Sequence, residues 1–142
     1  MADTNIHMKN SKLILLTLAA TVVAATNNFA QGTLPPAADK KDVTYATDIK
    51  PIFDVSCVKC HSGAKPKARL TMDTLAGVLK GTKMGPIIKA GDSANSFIIK
   101  SVAHLTSERD EWMPPVPNKA GIKPLTPAEI GLLRAWIDQG AK

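Results

Sequence analysis

The chain has 142 residues, with 18 Lys and Arg against 12 Asp and Glu and a formal net charge of +6, which leaves room for one or at most two small domains and excludes a large multidomain enzyme. Hydrophobic residues at 44% and charged residues at 21% are globular proportions, so wholesale disorder and a multi-span membrane protein are excluded as well. Aromatics make up only 4%, a thin supply for so small a domain, and something else is expected to help fill its core.

The basic residues, among them Lys40, Lys50, Lys59, Lys67, Arg69, Lys83, Lys100 and Arg109, are scattered, with no long run and no interleaved aromatics. That is the pattern of a solvated surface, and no nucleic-acid partner is expected. A diffuse positive field suits weak, salt-sensitive docking to an acidic-surfaced protein or an anionic membrane surface.

In chain order, Lys9 and Lys12 precede an apolar stretch from Leu13 to Ala25, and a short polar region ends at Phe29-Ala30. This is the order of a secretory signal peptide over 1–30, with 1–7 as an N-terminal extension ahead of Met8. The apolar stretch falls short of the roughly 20 residues of a membrane-spanning helix, so cleavage near Ala30 is expected, with Val23-Ala24-Ala25 as a second acceptable site. Membrane association is compatible with this segment but not required. Export places the mature chain in the periplasm. Residues 31–42, with Gly32, Pro35, Pro36, Ala37 and Ala38, read as a flexible leader, and the folded domain is expected over 43–142.

A first helix is expected from Asp48 to Ser56, with Ile49, Ile52 and Phe53 inward and Pro51 in its first turn. There follows Cys57-Val58-Lys59-Cys60-His61, which uses both cysteines of the chain. This is the C-x-x-C-H signal for covalent haem attachment. Two intervening residues let both sulfurs add to the two vinyl groups of one porphyrin, and the next residue aims its imidazole at the iron. The rivals are a dithiol redox pair, a structural zinc site and a plain disulfide. A thioredoxin-like site should sit in an α/β pattern, of which the flanks show little. Zinc needs four donors, and beyond Cys57, Cys60 and His61 only His104 remains after export.

Thr74 to Lys80 reads as a short helix and Ser93 to His104 as a longer one. The second axial ligand is to be sought among Met72, Met84, Met113 and His104. Met113 is preferred because it heads Met113-Pro114-Pro115-Val116-Pro117, a ring-stiffened run that holds its residues extended. Met72 alternates with Leu70 in a packing segment, Met84 lies in a glycine-flanked turn, and His104 reads as a helix-end histidine. His61 is expected to donate its second ring nitrogen to a backbone carbonyl near Pro66. The last helix starts at Thr126, with Pro127 at its first position, Glu129 closing a capping box and Leu125 stapling onto Ile130. Ile130, Leu133, Trp136 and Ile137 line its inner face, and Gly140 ends it.

Taken together, Tyr45 to Phe53, Cys57 to His61, Gly85 to Asp92, Ser96-Phe97, Met113 to Pro115 and Trp136 to Ala141 resemble the planctomycete-type c-type cytochrome domain, within the class I monohaem cytochrome c fold. The resemblance runs from Thr44 to Ala141. It implies an all-α fold of about four helices around one covalently attached haem c, with the first and last helices crossing over it. It also implies His61 as proximal and Met113 as distal iron ligand.

A haem held by Cys57, Cys60, His61 and Met113 leaves no vacant iron position, so the expected role is a one-electron carrier of fairly positive potential, not an enzyme. Its partners would be redox proteins, and it would act as a monomer. The alternative is a haem sensor or peroxidase-like protein with a displaceable sixth ligand. Peroxide chemistry would need a distal His or Arg, and neither His104 nor Arg109 sits in a recognisable constellation for it.

Overall fold

The computed structural model describes residues 32–142, so the segment read as a signal peptide lies outside the described residues. Among them there are four α-helices, short 3-10 turns and no strand, apart from an isolated bridge between Thr82 and Gly85. The helices are α1 (Lys50–Ser56), α2 (Leu75–Lys80), α3 (Phe97–Val102) and α4 (Pro127–Asp138). None is long and apolar enough to cross a membrane.

The first helical segment starts earlier than the sequence suggests. A π-helical turn, Tyr45–Ile49, runs directly into α1, and the Lys50 N–H reaches back to the Tyr45 carbonyl. Pro51 occupies the first turn of α1. The entry is fixed by reciprocal capping. The Thr44 hydroxyl accepts from the Thr47 N–H, and the Asp48 carboxylate accepts from the Thr44 N–H at 2.9 Å. Lys40 pairs with Asp48 from outside. Ile49 and Phe53 point inward and are fully buried, and Ile52 is half-buried.

Helix α2 begins at Thr74, whose hydroxyl accepts from the Gly77 N–H at 3.1 Å, and ends at Gly81, where a φ of 79° suits glycine. Helix α3 is shorter than the expected Ser93–His104. Ser93 donates its N–H and its hydroxyl to the two carboxylate oxygens of Asp138, at 2.8 and 2.9 Å. The Ser96 hydroxyl donates to the Asp92 carbonyl at 2.9 Å and accepts from the Lys89 N–H at 2.8 Å. Side-chain bonds of this kind offer the backbone a turn in place of a helix. At the other end His104, with φ 57°, has already left the helix.

Helix α4 follows the expected pattern. The Thr126 N–H donates to Glu129 Oε2 at 2.7 Å, the Glu129 N–H returns to Thr126 Oγ1 at 3.3 Å, and Ile130, Leu133, Trp136 and Ile137 are buried. Gly140 follows the helix with φ 99°. The helix crosses the π-helical turn, and the Tyr45 ring lies 6.0 Å from the Trp136 ring and 6.3 Å from Phe53. Three aromatic residues thus weld the two ends of the domain together.

Residues 34–38, expected within a flexible leader, lie against α4. The Ala38 N–H donates to the Gly131 carbonyl at 2.9 Å, Arg134 donates to the Pro35 carbonyl, and Pro35 is buried. A Cβ on Gly131 would come within 2.7 Å of the Pro36 carbonyl oxygen, so the segment seats only because that position is glycine. Pro35 and Pro36, short of donors and pre-extended, suit a strap along a helix as well as a free tail.

Candidate haem site

Helix α1 delivers the cysteine motif. Its last turn continues through Cys57 and Val58, both of which donate to the Phe53 carbonyl, and then tightens as Cys60 and His61 each donate to the Cys57 carbonyl at 3.0 Å. Cys57 is buried, Cys60 half-buried, and the two are not joined in a disulfide. Burial, with a smaller push from Cys60, drives the Cys57 thiol up to about 12. A dithiol oxidoreductase needs the opposite shift, because its reactive form is the thiolate.

His61 is 9% exposed. Its Nδ1 lies 3.1 Å from the Lys67 carbonyl oxygen, the carbonyl expected near Pro66. Donation to that carbonyl fixes the tautomer and leaves the Nε2 lone pair as the free donor. Burial, the largest influence, lowers the imidazole's proton affinity and so favours the neutral, ligating form. The loop between is closed by the Lys67 N–H to the Cys60 carbonyl at 3.0 Å, and the Met72 N–H to the His61 carbonyl at 2.7 Å ties down the next segment. Met72 is held in turn through its own carbonyl, which accepts from the Tyr45 hydroxyl at 3.1 Å.

Met113 arrives on the proline-rich loop. Its N–H donates to the Ser101 carbonyl of α3 at 3.0 Å. The Met113–Pro114 and Val116–Pro117 peptide bonds are cis. On one side of the loop Asn118 donates to the Pro115 and Ile122 carbonyls, both at 2.8 Å, and accepts from the Ile122 N–H. On the other, Trp112 is stacked on His104 with rings 4.9 Å apart and 4° from parallel, under the Arg109 guanidinium, and its Nε1 donates to the Thr106 carbonyl. Met113 is therefore braced both before and after.

All four residues singled out from the sequence border one cavity of about 920 Å³, at the upper end of the range for cofactor sites. Cys57, Cys60 and His61 enter it from α1 and the following turn, Leu70 and Met72 from the next segment, Ile98, Ser101 and Val102 from α3, and Met113 to Pro115 from the proline-rich loop. Met72 and Met84 also border it; Met72 is buried, whereas Met84 is 87% exposed. His104 does not border it and is occupied with Trp112. Among the described residues no three His, Cys, Asp or Glu side chains converge as a metal-ion site.

Paired cysteines, a neutral imidazole with one nitrogen tied back and a thioether, bordering a largely apolar cavity of this size, fit a covalently attached haem. The sequence did not reveal Ser101, Tyr45 or Asn118 as parts of the site. Asn118, directly after Pro115-Val116-Pro117, was the one with a readable signal, since Asn commonly closes turns through its side chain.

A small helical domain with its cysteine motif at the end of the first helix and a methionine on a braced loop is the arrangement that a cytochrome c would need. Residues 57–117 are similar to the family described as Planctomycete cytochrome C. The matched span begins at Cys57 and takes in the whole route from the cysteine motif through Met113 to Pro117. Comparisons with curated proteins and with solved structures gave no match.

Proposed function

We propose that the protein is an exported one-electron carrier with one haem c attached through Cys57 and Cys60 and ligated by His61 Nε2 and Met113 Sδ. The observation that carries this reading is the placement of these four residues on one cavity. When bound, the haem supplies reversible one-electron exchange between ferric and ferrous iron. The chain's part is to hold the donors still and keep water away. The Lys67 carbonyl orients His61, the Ser101 carbonyl holds the Met113 backbone, and Ile98, Val102 and Leu70 give the cavity apolar walls. An apolar surround and a weak sulfur donor both disfavour the extra charge of ferric iron, which supports a fairly positive potential.

His61 Nε2 and Met113 Sδ would both be committed to the iron of a bound haem, which would then exchange electrons without a substrate binding to the metal. That supports a carrier, with other redox proteins as partners; the signal-like order of residues 1–30 is the ground for placing it in the periplasm. The basic surface favours partners with acidic faces.

The test is the intact mass of the exported protein followed by an absorption-monitored redox titration. The expected results are a mass raised by one haem and a low-spin, methionine-ligated spectrum. A mass of bare polypeptide with both thiols open to alkylation overturns the reading. Carbon monoxide binding by the unmodified ferrous protein would instead point to a sensor or peroxidase-like role.

A further inference from the structure

The rim of the cavity is divided by charge. Lys65, Lys67, Arg69 and Lys83 are spread along the sequence, but the Lys83 N–H donates to the Ala68 carbonyl at 3.4 Å and lays the turn at residues 82–85 alongside residues 65–69. All four are exposed, and the ion pairs among the described residues use other lysines. Over residues 55–91 the only acid is Asp73. On the methionine side the balance reverses: Asp110 and Glu111 border the cavity just before Met113, and with Glu108 they outnumber Arg109 and Lys119. Exposed cations by themselves only keep a surface solvated. What sets this group apart is its company, because Lys67 borders the cavity and so do Met84, 87% exposed, and Phe97, 42% exposed. The Ile98 N–H donates to the Ile87 carbonyl at 3.0 Å, which brings the start of α3 against the segment that follows Met84. An exposed residue that also borders a cavity stands at its mouth. Large apolar side chains left in water beside unpaired cations offer a transient interface both a contact to bury and a field that steers.

We propose that the part of the mouth formed by residues 65–69 and 82–85, with Met84 and Phe97, is the docking face for an acidic-surfaced redox protein, rather than the part that carries Asp110 and Glu111. This deepens the carrier reading and rests on it. Lys67 ties the face to the site: its carbonyl oxygen lies 3.1 Å from His61 Nδ1, so a partner seated over Lys67 stands next to the imidazole. One electron crosses between the docked proteins, oxidising one and reducing the other, with no bond made or broken. The division of charge also sets orientation, since an acidic partner is drawn to the lysines and repelled by Glu108, Asp110 and Glu111.

The experiment uses the exported, full-length protein, with flavodoxin, an acidic one-electron donor, as the probe. Mass and spectrum come first. A product without haem overturns the carrier reading and this proposal together; with haem attached, the variants judge the face alone. Stopped-flow reduction of the ferric protein by reduced flavodoxin at low ionic strength should slow about tenfold in Lys67→Glu/Lys83→Glu. Lys41→Glu/Lys142→Glu, which changes the net charge equally but outside the cavity lining, should slow it by less than about twofold, and added salt should bring all the rates together. Equal slowing in the two double variants overturns the proposal. Nitrogen-15 NMR of the ferrous wild type titrated with oxidised flavodoxin reads binding without any variant: amide shifts should gather at residues 65–70 and 82–87, and shifts gathered at residues 108–111 overturn it. So does a Lys67→Glu/Lys83→Glu protein that loses binding to phosphatidylglycerol vesicles yet keeps the wild-type flavodoxin rate, which would make this a membrane-facing surface.

Discussion

The imidazole of His61 is anchored to the carbonyl of Lys67, six residues along the chain, at 3.1 Å. That bond closes a small loop whose other fastening, the Lys67 N–H to the Cys60 carbonyl, is made by the same residue. One residue in the loop therefore sets both the direction of the imidazole and the distance between it and the second cysteine. His61 also borders the cavity.

Replacing Met113 with Ala should remove the sulfur donor while leaving the cysteine linkage intact. The ferric charge-transfer band should vanish and the ferrous form should bind carbon monoxide, both read by absorption spectroscopy. An unchanged spectrum would show that another side chain, with Met72 the first to examine, ligates the iron.

Tyr45→Phe removes the hydroxyl that donates to the Met72 carbonyl and should cost about 1 kcal/mol in denaturant unfolding. Burial, followed by Asp54 and Asp73, raises the Tyr45 pKa above its ordinary 10.0. The unfolded chain then loses this proton first, so the stabilisation is complete below pH 10.0 and fades as pH rises towards the folded value. The phenylalanine variant should show a shallower alkaline loss of stability than the wild type.

Asp48 provides the acid-side counterpart. The Lys40 ammonium, then the Thr44 N–H, hold its carboxyl below the ordinary 3.8. Its contribution is present above that value and is lost as pH falls through the lowered folded one. Asp48→Asn should flatten the fall of melting temperature between pH 4 and pH 2, and added salt should reduce the difference between the two proteins.

Gly131→Ala sets a methyl group against the Pro36 carbonyl and should destabilise the domain by about 1–3 kcal/mol. The change should be visible as a lower melting temperature and faster proteolysis before residue 39, with the haem spectrum unaltered. A shifted spectrum would mean that the strap and the cavity communicate.

Helix α4 was readable because everything that starts it lies within Leu125 to Ile130: a capping threonine, a proline at the first position, a glutamate that closes the box and apolar residues at helical spacing. The cysteine motif was equally local, and Met113 stood out because of the prolines that come after it. Helix α3 came out too long, because the bonds that unwind Ser93 come from Asp138, 45 residues later, and no local pattern announces them. The packing of Pro35 and Ala38 on α4 escaped for the same reason, since it depends on the absence of a side chain at Gly131.

Helix α4, on which residues 34–38 lie, contributes no residue to the cavity lining. The strap is thus seated on an element that has no share in lining the cavity. Substitutions along residues 34–38 can therefore change the stability of the domain without touching the groups that line the cavity.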